Sequence, residues 1–311
     1  MTRNHIGVDL SKDVLDIHDP RRGTARLANR PGAIAAWMLR LGVDDIIVYE
    51  ATSACDRPLR LALRQAGQPG VRLNPLHAWH FARSLNRAKT DRIDAALLAR
   101  LGSERQLAPD AEADPTREAL RALVHRRDQL KRMQTQEKNR LSASAPGLVA
   151  SDIRAELANL ARRIARIEAA IGAHLARHPA LAAAERLLRS LPGVGAVTAM
   201  TLLAHLPELG QVDRRAIASL GALAPRAHES GRYRGRRFLG DGRRHVRRAL
   251  YMAALSAMRH AGFLAGFVAR QKAAGKPAKV ILMAVARRLL VVANAILRTG
   301  VPFRPPQPGP A

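Results

Sequence analysis

Four carboxylates in the first third of the chain could do chemistry together. Asp9 lies inside the apolar run Ile6-Gly7-Val8-Asp9-Leu10, where an acid is costly unless it has a partner or a task. Glu50 closes the β-branched run Asp45-Ile46-Ile47-Val48-Tyr49. Asp91 and Asp94, in Thr90-Asp91-Arg92-Ile93-Asp94-Ala95, stand three apart at the start of a helical pattern, so both project to one side. Brought together, four acids repel one another and need a cation. Oxygen-only ligands suit Mg2+ or Mn2+ rather than zinc, and a pair of such ions would clamp the attacking and leaving oxygens of a phosphodiester. Each acid also has an ordinary use. Asp9 could bond backbone at a strand end, Glu50 could pair with an arginine, Asp91 could be an N-cap and Asp94 part of a capping arrangement. Four acids at element ends favour the metal. Asp13 and Asp16 sit beyond the first strand and read as bystanders.

Two later segments could meet nucleic acid. Leu191-Pro192-Gly193-Val194-Gly195, running into Ala196-Val197-Thr198-Ala199, reads as a helix, a Gly-rich hairpin and a second helix. Gly193 and Gly195 would let backbone amides approach a phosphate at the helix start, unless the segment is simply a tight turn between packed helices. Further on, Glu229-Ser230-Gly231-Arg232-Tyr233-Arg234-Gly235-Arg236-Arg237 is followed by Gly240-Asp241-Gly242-Arg243-Arg244-His245-Val246-Arg247-Arg248. Nine arginines fall between Arg226 and Arg248. The interspersed glycines read as a flexible loop, with Arg232, Arg234, Arg236, Arg237, Arg243, Arg244, Arg247 and Arg248 as nucleic-acid contacts. Ser230 could attack a phosphodiester among guanidinium groups that neutralise the developing charge. From the residues alone, the favoured reading is a turn residue in a backbone-binding loop. His228 and His245 are nearby, but neither has obvious base geometry.

Composition narrows the partner. The chain has 311 residues, 52 Lys and Arg against 25 Asp and Glu, and a formal charge of +27. Only seven of the 52 are lysine. Arginine grips phosphate with a planar fork and stays charged at any usable pH, so a polyanion, and nucleic acid first, is the expected partner. Hydrophobic residues make up 47% of the sequence, enough for a core, while 3% aromatics leave that core to Leu, Ala, Val and Ile. A single cysteine, Cys55, excludes a disulfide framework and a Cys-rich zinc site. MTRNHIGVDLSKD holds no apolar signal region, and Val280 to Leu297 is interrupted by Arg287-Arg288, a poor membrane span. No membrane partner and a cytoplasmic location are expected.

The elements that must position these residues fall into parts. Residues 1–110 read as α/β. Strands are expected at Ile6–Leu10, Val14–Asp19, Asp45–Tyr49 and Val71–Leu73, with helices from about Pro31 to Leu41 and Pro58 to Gln65, giving a mixed sheet flanked by helices. Residues 115–178 read as two helices broken near Pro146-Gly147. In the second, Ile153, Leu157, Leu160, Ile164, Ile167, Ile171 and Leu175 form a heptad seam. That seam suits either a coiled-coil arm that pairs protomers or a hairpin closed within one chain, and the first is favoured. Residues 185–300 read as all-helical, carrying most of a net +17 that residues 180–311 hold from 22 basic and five acidic residues. Residues 301–311 read as a frayed Pro-rich tail.

Taken together, IGVDLSK, YEAT and KTDRIDA resemble the RuvC-like, ribonuclease-H-fold domain of DEDD transposases. LPGVGAVTAMTLLAHLPEL, LGALAPRAHESGRYRGRRFLGDGRRHVRRALYMAAL and GKPAKVILMAVARRLL resemble the C-terminal transposase domain of the same proteins, the insertion-sequence transposases of the IS110/IS1111 type. The resemblance implies a RuvC-like domain, a coiled-coil arm and an all-α domain with a helix-hairpin-helix-like motif. It puts the family's metal-binding acids on Asp9, Glu50, Asp91 and Asp94 and its nucleophilic serine on Ser230. It further implies donor and target DNA as substrates, a noncoding bridge RNA as guide, and a homo-oligomer, dimer or tetramer, in the bacterial cytoplasm at the nucleoid.

The expected activity is cutting and rejoining of DNA through a 5′-phosphoserine link. One alternative is a metal-dependent junction resolvase or nuclease that hydrolyses DNA with activated water. Another is a non-catalytic nucleic-acid-binding protein whose acids serve caps and salt bridges.

Overall fold

A computed structural model of the chain describes residues 3–51, 55–84, 91–109, 114–226, 229–230, 233–235, 238–240, 242–260 and 262–305. For residues 91–93, 226, 229, 230, 233 and 234 the description covers the backbone. The chain divides into two compact units, residues 1–112 and 113–311.

The first unit is built on five strands. β1 (Asn4–Leu10), β2 (Val14–Asp19) and β3 (Gly23–Ala28) form an antiparallel meander. Helix α1 (Pro31–Met38) leads to β4 (Asp45–Glu50), and α2 (Arg57–Ala66) to β5 (Gly70–Leu73). These two strands extend the sheet in parallel from the other edge of β1, giving the order β3-β2-β1-β4-β5. Helices α3 (Pro75–Ser84) and α4 (Asp91–Glu104) follow. Alternation along each strand sorts side chains to two faces. Ile6, Val8, Leu10, Leu15, Ile17, Ile47 and Tyr49 pack with residues of α1 and α2. Ile46, Val48, Val71 and Leu73 pack with Phe81 of α3 and Leu97, Leu98 and Leu101 of α4. The expected mixed sheet is present. β3 and α3 escaped the sequence reading, because the exposed edge strand GTARLA has no apolar alternation.

α4 crosses β1 at Gly7 in backbone contact. A Cβ at Gly7 would stand 1.8 Å from the Ala95 carbonyl oxygen and 2.6 Å from the Ala99 nitrogen. Further along, Gly102 lies against His5 and Val48. The helix therefore runs antiparallel to β1, its amino end over the strand's carboxyl end. The amino end of β1 is held differently. Asn4 donates to Asp19 (3.1 Å) and Asp45 (2.8 Å), and Arg22 bridges both carboxylates at 2.7 and 2.9 Å.

In the second unit, α5 (Pro115–Ala143) and α6 (Leu148–Arg177) form a hairpin. Its middle is closed by Leu130, Leu160 and Ile164, and near its base Leu120, Val124 and Ile171 join the main core. Seam residues Leu160, Ile164 and Ile171 thus pack against α5 within one chain, as in the hairpin alternative. The core continues through α7 (Pro179–Arg189), α8 (Ala196–His205) and α9 (Arg214–Leu220). Four two-residue strands come next: β6 (Pro225–Arg226), β7 (Glu229–Ser230), β8 (Tyr233–Arg234) and β9 (Phe238–Leu239). β6 pairs with β9 and β7 with β8, so the unit is not all-helical and the Arg-rich segment is not wholly a loop. α10 (Arg244–His260), α11 (Ala265–Ala273) and α12 (Ala278–Thr299) complete it.

α12 is long and apolar enough to cross a membrane by length and composition, contrary to the sequence expectation. Its buried stripe, from Ile281 to Ile296, instead forms the middle of the core. Within that stripe Asn294 bonds Gly210 and Val212, satisfying its amide inside the protein. The start of the tail is docked rather than frayed. Phe303 lies 4.7 Å from the Phe263 ring, and its N–H donates to Ser190 Oγ at 2.8 Å.

A cluster of imidazoles joins three of these helices. His205, in the last turn of α8, stacks parallel on His245 at the start of α10, with centroids 4.8 Å apart. His125 of α5 meets His245 edge-on at 6.1 Å. Burial, then the neighbouring His245, Arg121, His125 and Arg243, push His205 down to about 4.

Two outcomes follow from this packing. Gly7→Ala should cost about 3 kcal/mol or more, because helix backbone rather than a side chain must move, and urea unfolding measures it. Below pH 6.5 the unfolded chain takes up a proton on His205 that the folded chain refuses down to about 4, so stability should fall as pH drops through that window. His205→Gln should remove about 1 kcal/mol of the loss at pH 5, after allowance for solvent screening, in paired denaturation curves at pH 5 and 7.5.

Candidate functional site

The carboxylates of the first unit are placed by strand register and by α4. β1 and β4 run parallel with Val8 opposite Tyr49, so Asp9 and Glu50 are the next residues on adjacent strands. Gly7 and Val48 both face α4, and alternation sends Asp9 and Glu50 to that same face. Both are half-buried. Asp94 immediately precedes Ala95, which rests on Gly7, and it too is half-buried. Asp91 opens α4, and its side chain lies outside the described residues. Asp9, Glu50 and Asp94 therefore share one face at one end of the sheet. The donors are all oxygens, which in chemistry fits a hard divalent cation. Among the described residues, no group of three or more His, Cys, Asp or Glu is placed to hold a metal ion.

Asp16 is closer to this set than its sequence position suggested. It is the cross-strand partner of Asp9 and is gripped by Arg26 through two bonds, Nε–Oδ1 at 2.8 Å and Nη2–Oδ2 at 2.9 Å. The pair lines a cleft of about 330 Å³ with Thr24, Ala25 and Ala95. The signal that could have found it is the antiparallel register of a tight β1–β2 hairpin, which puts residues 9 and 16 opposite one another.

In the second unit, Ser230 ends β7, paired with Tyr233 of β8. Its side chain and that of Arg234 lie outside the described residues, as do Arg232, Arg236 and Arg237 altogether. Of the remaining expected nucleic-acid contacts, Arg244 and Arg248 are exposed on the first turns of α10. Arg247 is half-buried and donates to the Leu239 carbonyl at 3.4 Å. Arg243 is engaged within the unit. Its guanidinium is bound end-on by Glu208 at 2.5 and 2.6 Å, and its N–H donates to the Leu220 carbonyl, so it clamps the start of α10. Burial, the largest single influence, would raise the Glu208 carboxyl, but the Arg243 bond, a backbone bond and the charges of Arg243 and Arg117 together hold the acid below the usual range.

Gly193 is also explained by packing. It adopts φ +90°, and a Cβ there would meet the Ala257 Cβ at 2.6 Å and the Ala253 carbonyl oxygen at 2.7 Å, both on α10. That close helix approach accounts for the glycine without a phosphate. Gly195, the N-cap of α8, is exposed with open space around it.

Arg243→Ala should cost about 1–2 kcal/mol of stability in thermal unfolding, because it strands Glu208. Arg244→Ala and Arg248→Ala should leave stability within about 0.5 kcal/mol. Each should instead lower the salt dependence of binding to a DNA duplex by about one phosphate contact, measured by fluorescence anisotropy across a NaCl series.

Comparison with known proteins places the chain. Residues 7–147 match the family model of the IS110 DEDD transposases, described as a transposase, and residues 185–268 match the transposase IS116/IS110/IS902 family. The pilin gene-inverting proteins of Moraxella lacunata and Moraxella bovis are each 28% identical to the chain, over 97% of it and 98% of their own length. An uncharacterized 43.6 kDa protein of insertion element IS110 from Streptomyces coelicolor is 33% identical over 43% of this chain and 33% of its own. Two transposase models match in order along most of the sequence, and full-length relatives accompany them: the chain belongs to the IS110 family of transposases.

Proposed function

We propose that this transposase cuts and rejoins DNA through a 5′-phosphoserine intermediate formed on Ser230. Asp9, Glu50, Asp91 and Asp94, on a ribonuclease-H-like domain, would hold Mg2+ or Mn2+ at the scissile phosphate. The observation that carries this reading is the placement of Asp9, Glu50 and Asp94 on one face, at the carboxyl ends of β1 and β4 and the amino end of α4. The bound cation would neutralise phosphate charge and polarise the attacking and leaving oxygens.

Ser230 Oγ attacks phosphorus, the Oγ–P bond forms and the P–O3′ bond breaks. The leaving 3′ oxygen takes a proton and becomes a 3′-hydroxyl. Rejoining reverses the step, with a 3′-hydroxyl displacing the serine. Because the phosphoserine ester conserves the phosphodiester bond energy, no high-energy cofactor is needed. The exposed arginines of α10 would neutralise the DNA backbone nearby.

The names of the Moraxella relatives favour rejoining over hydrolysis. Inverting a gene segment requires that cut ends be resealed, which a nuclease acting through water does not do. Sequence choice would come from a noncoding bridge RNA pairing with donor and target DNA. That division of labour suits a strongly basic chain without an evident base-reading helix. A homo-oligomer, dimer or tetramer, would bring the parts together.

Ser230→Ala should abolish covalent protein–DNA adducts on denaturing electrophoresis of end-labelled DNA, while an undiminished adduct removes the serine from the mechanism. Asp9→Asn should lower cleavage by about 10²-fold or more. Chelation of divalent metal should stop cleavage, and Mg2+ or Mn2+ should restore it. Free ends without adduct or joined product would mark a hydrolytic nuclease instead.

A further inference from the structure

The histidine cluster of the second unit lies outside the carboxylate and serine chemistry, and it is built like a binding site. Three elements supply it: α5 with Arg117, Arg121 and His125, the end of α8 with His205 and Glu208, and the start of α10 with Arg243 and His245. Its acids are engaged. Glu208 is bound end-on by Arg243, Glu118 stands 3.6 Å from Arg121, and Asp114 stands 3.6 Å from Arg117. His205 Nε2 is buried and has no hydrogen-bond partner, an expensive condition for a polar atom inside a protein. His125 and His245, which pack on one another beside it, are exposed. Gln129 Nε2 reaches His125 Nδ1 at 3.3 Å, which leaves His125 Nε2 as a donor.

We propose that this histidine cluster binds a backbone phosphate of nucleic acid, with His205, His125 and His245 as its donors. Each imidazole can present an N–H to a phosphate oxygen, and the amino end of α10 adds partial positive charge. The parallel stack keeps ring nitrogens from converging on one point, as a metal would need. An anion removes the repulsion among the imidazoles, Arg121 and Arg243. A nucleic-acid source is favoured by continuity, because exposed His245 adjoins exposed Arg244 in the Arg-rich stretch of the sequence. The inference rests on the chain acting on nucleic acid and is independent of Ser230.

The test uses the full-length protein with ¹⁵N-labelled histidine and follows the ring signals through a pH titration. One sample is free, one carries a DNA duplex, one an RNA strand, and one millimolar inorganic phosphate. Saturating nucleic acid should move the His205 midpoint up by at least one pH unit, as expected when a phosphate stabilises the charged ring. His125→Gln, at an exposed position where folding is preserved, should weaken duplex binding about threefold to tenfold at pH 6 and lower its salt dependence by about one contact. If inorganic phosphate alone reproduces the shift, the cluster takes a free anion and the assignment to nucleic acid is overturned. If the duplex binds but His205 does not respond and His125→Gln binds as the parent does, the cluster is not a phosphate site, whatever Ser230 does. Failure of the parent protein to bind any nucleic acid would overturn the function proposed above as well.

Discussion

The backbone contact between α4 and β1 at Gly7 is the constraint on which the candidate site rests. One residue separates Gly7 from Asp9, and Asp94 immediately precedes Ala95, the helix residue seated on that glycine. With no Cβ in the way, the helix lies directly on the strand, running antiparallel, and its amino end overhangs the strand's carboxyl end. The partial positive charge of a helix start is then close to Asp9 and Glu50, which eases the cost of grouping carboxylates in a half-buried place. Register does the rest, since parallel pairing of β1 and β4 puts residues 9 and 50 side by side.

The same residue types do structural work at the other end of the same sheet. Asp19 and Asp45 are buried, and each is neutralised by Arg22 and bonded by Asn4. Burial would raise both carboxyls, but these bonds overcome it and hold them below the ordinary range. Asp56 is likewise taken by Arg72. Acids gripped by Arg22 and Arg72 hold the sheet together, and Asp9, Glu50 and Asp94 stand where α4 begins. The arginine surplus divides in the same way. Arg22, Arg26, Arg72 and Arg243 clamp carboxylates, and Arg244 and Arg248 extend from α10 toward solvent.

In the second unit, a core poor in aromatics is assembled from Leu, Ala, Val and Ile around α12. Small side chains let helices approach closely, and the Gly193–α10 contact is the extreme case. The hairpin of α5 and α6 uses its seam internally, so apolar burial there says nothing about a second protomer.

Much of this was legible in the amino-acid order. Strands β1, β2, β4 and β5, helices α1 and α2, and the two long helices of the hairpin follow from apolar periodicity and from Pro and Gly at element ends. The candidate acids and the basic C-terminal segment were visible as residue types in a pattern. An exposed edge strand left no such pattern, and a heptad repeat has the same spacing whether its partner is the same chain or another. Likewise a glycine needed for packing and one needed for a phosphate are the same letter, and so are an arginine that clamps Glu208 and one that meets DNA. Sequence alone set the elements and the chemistry available to them, because periodicity and charge are local. Tertiary structure alone decided which acids share a face, that Asp16 stands opposite Asp9, and that Gly193 and Arg243 serve packing, because these depend on register and on close approach between segments far apart in the chain.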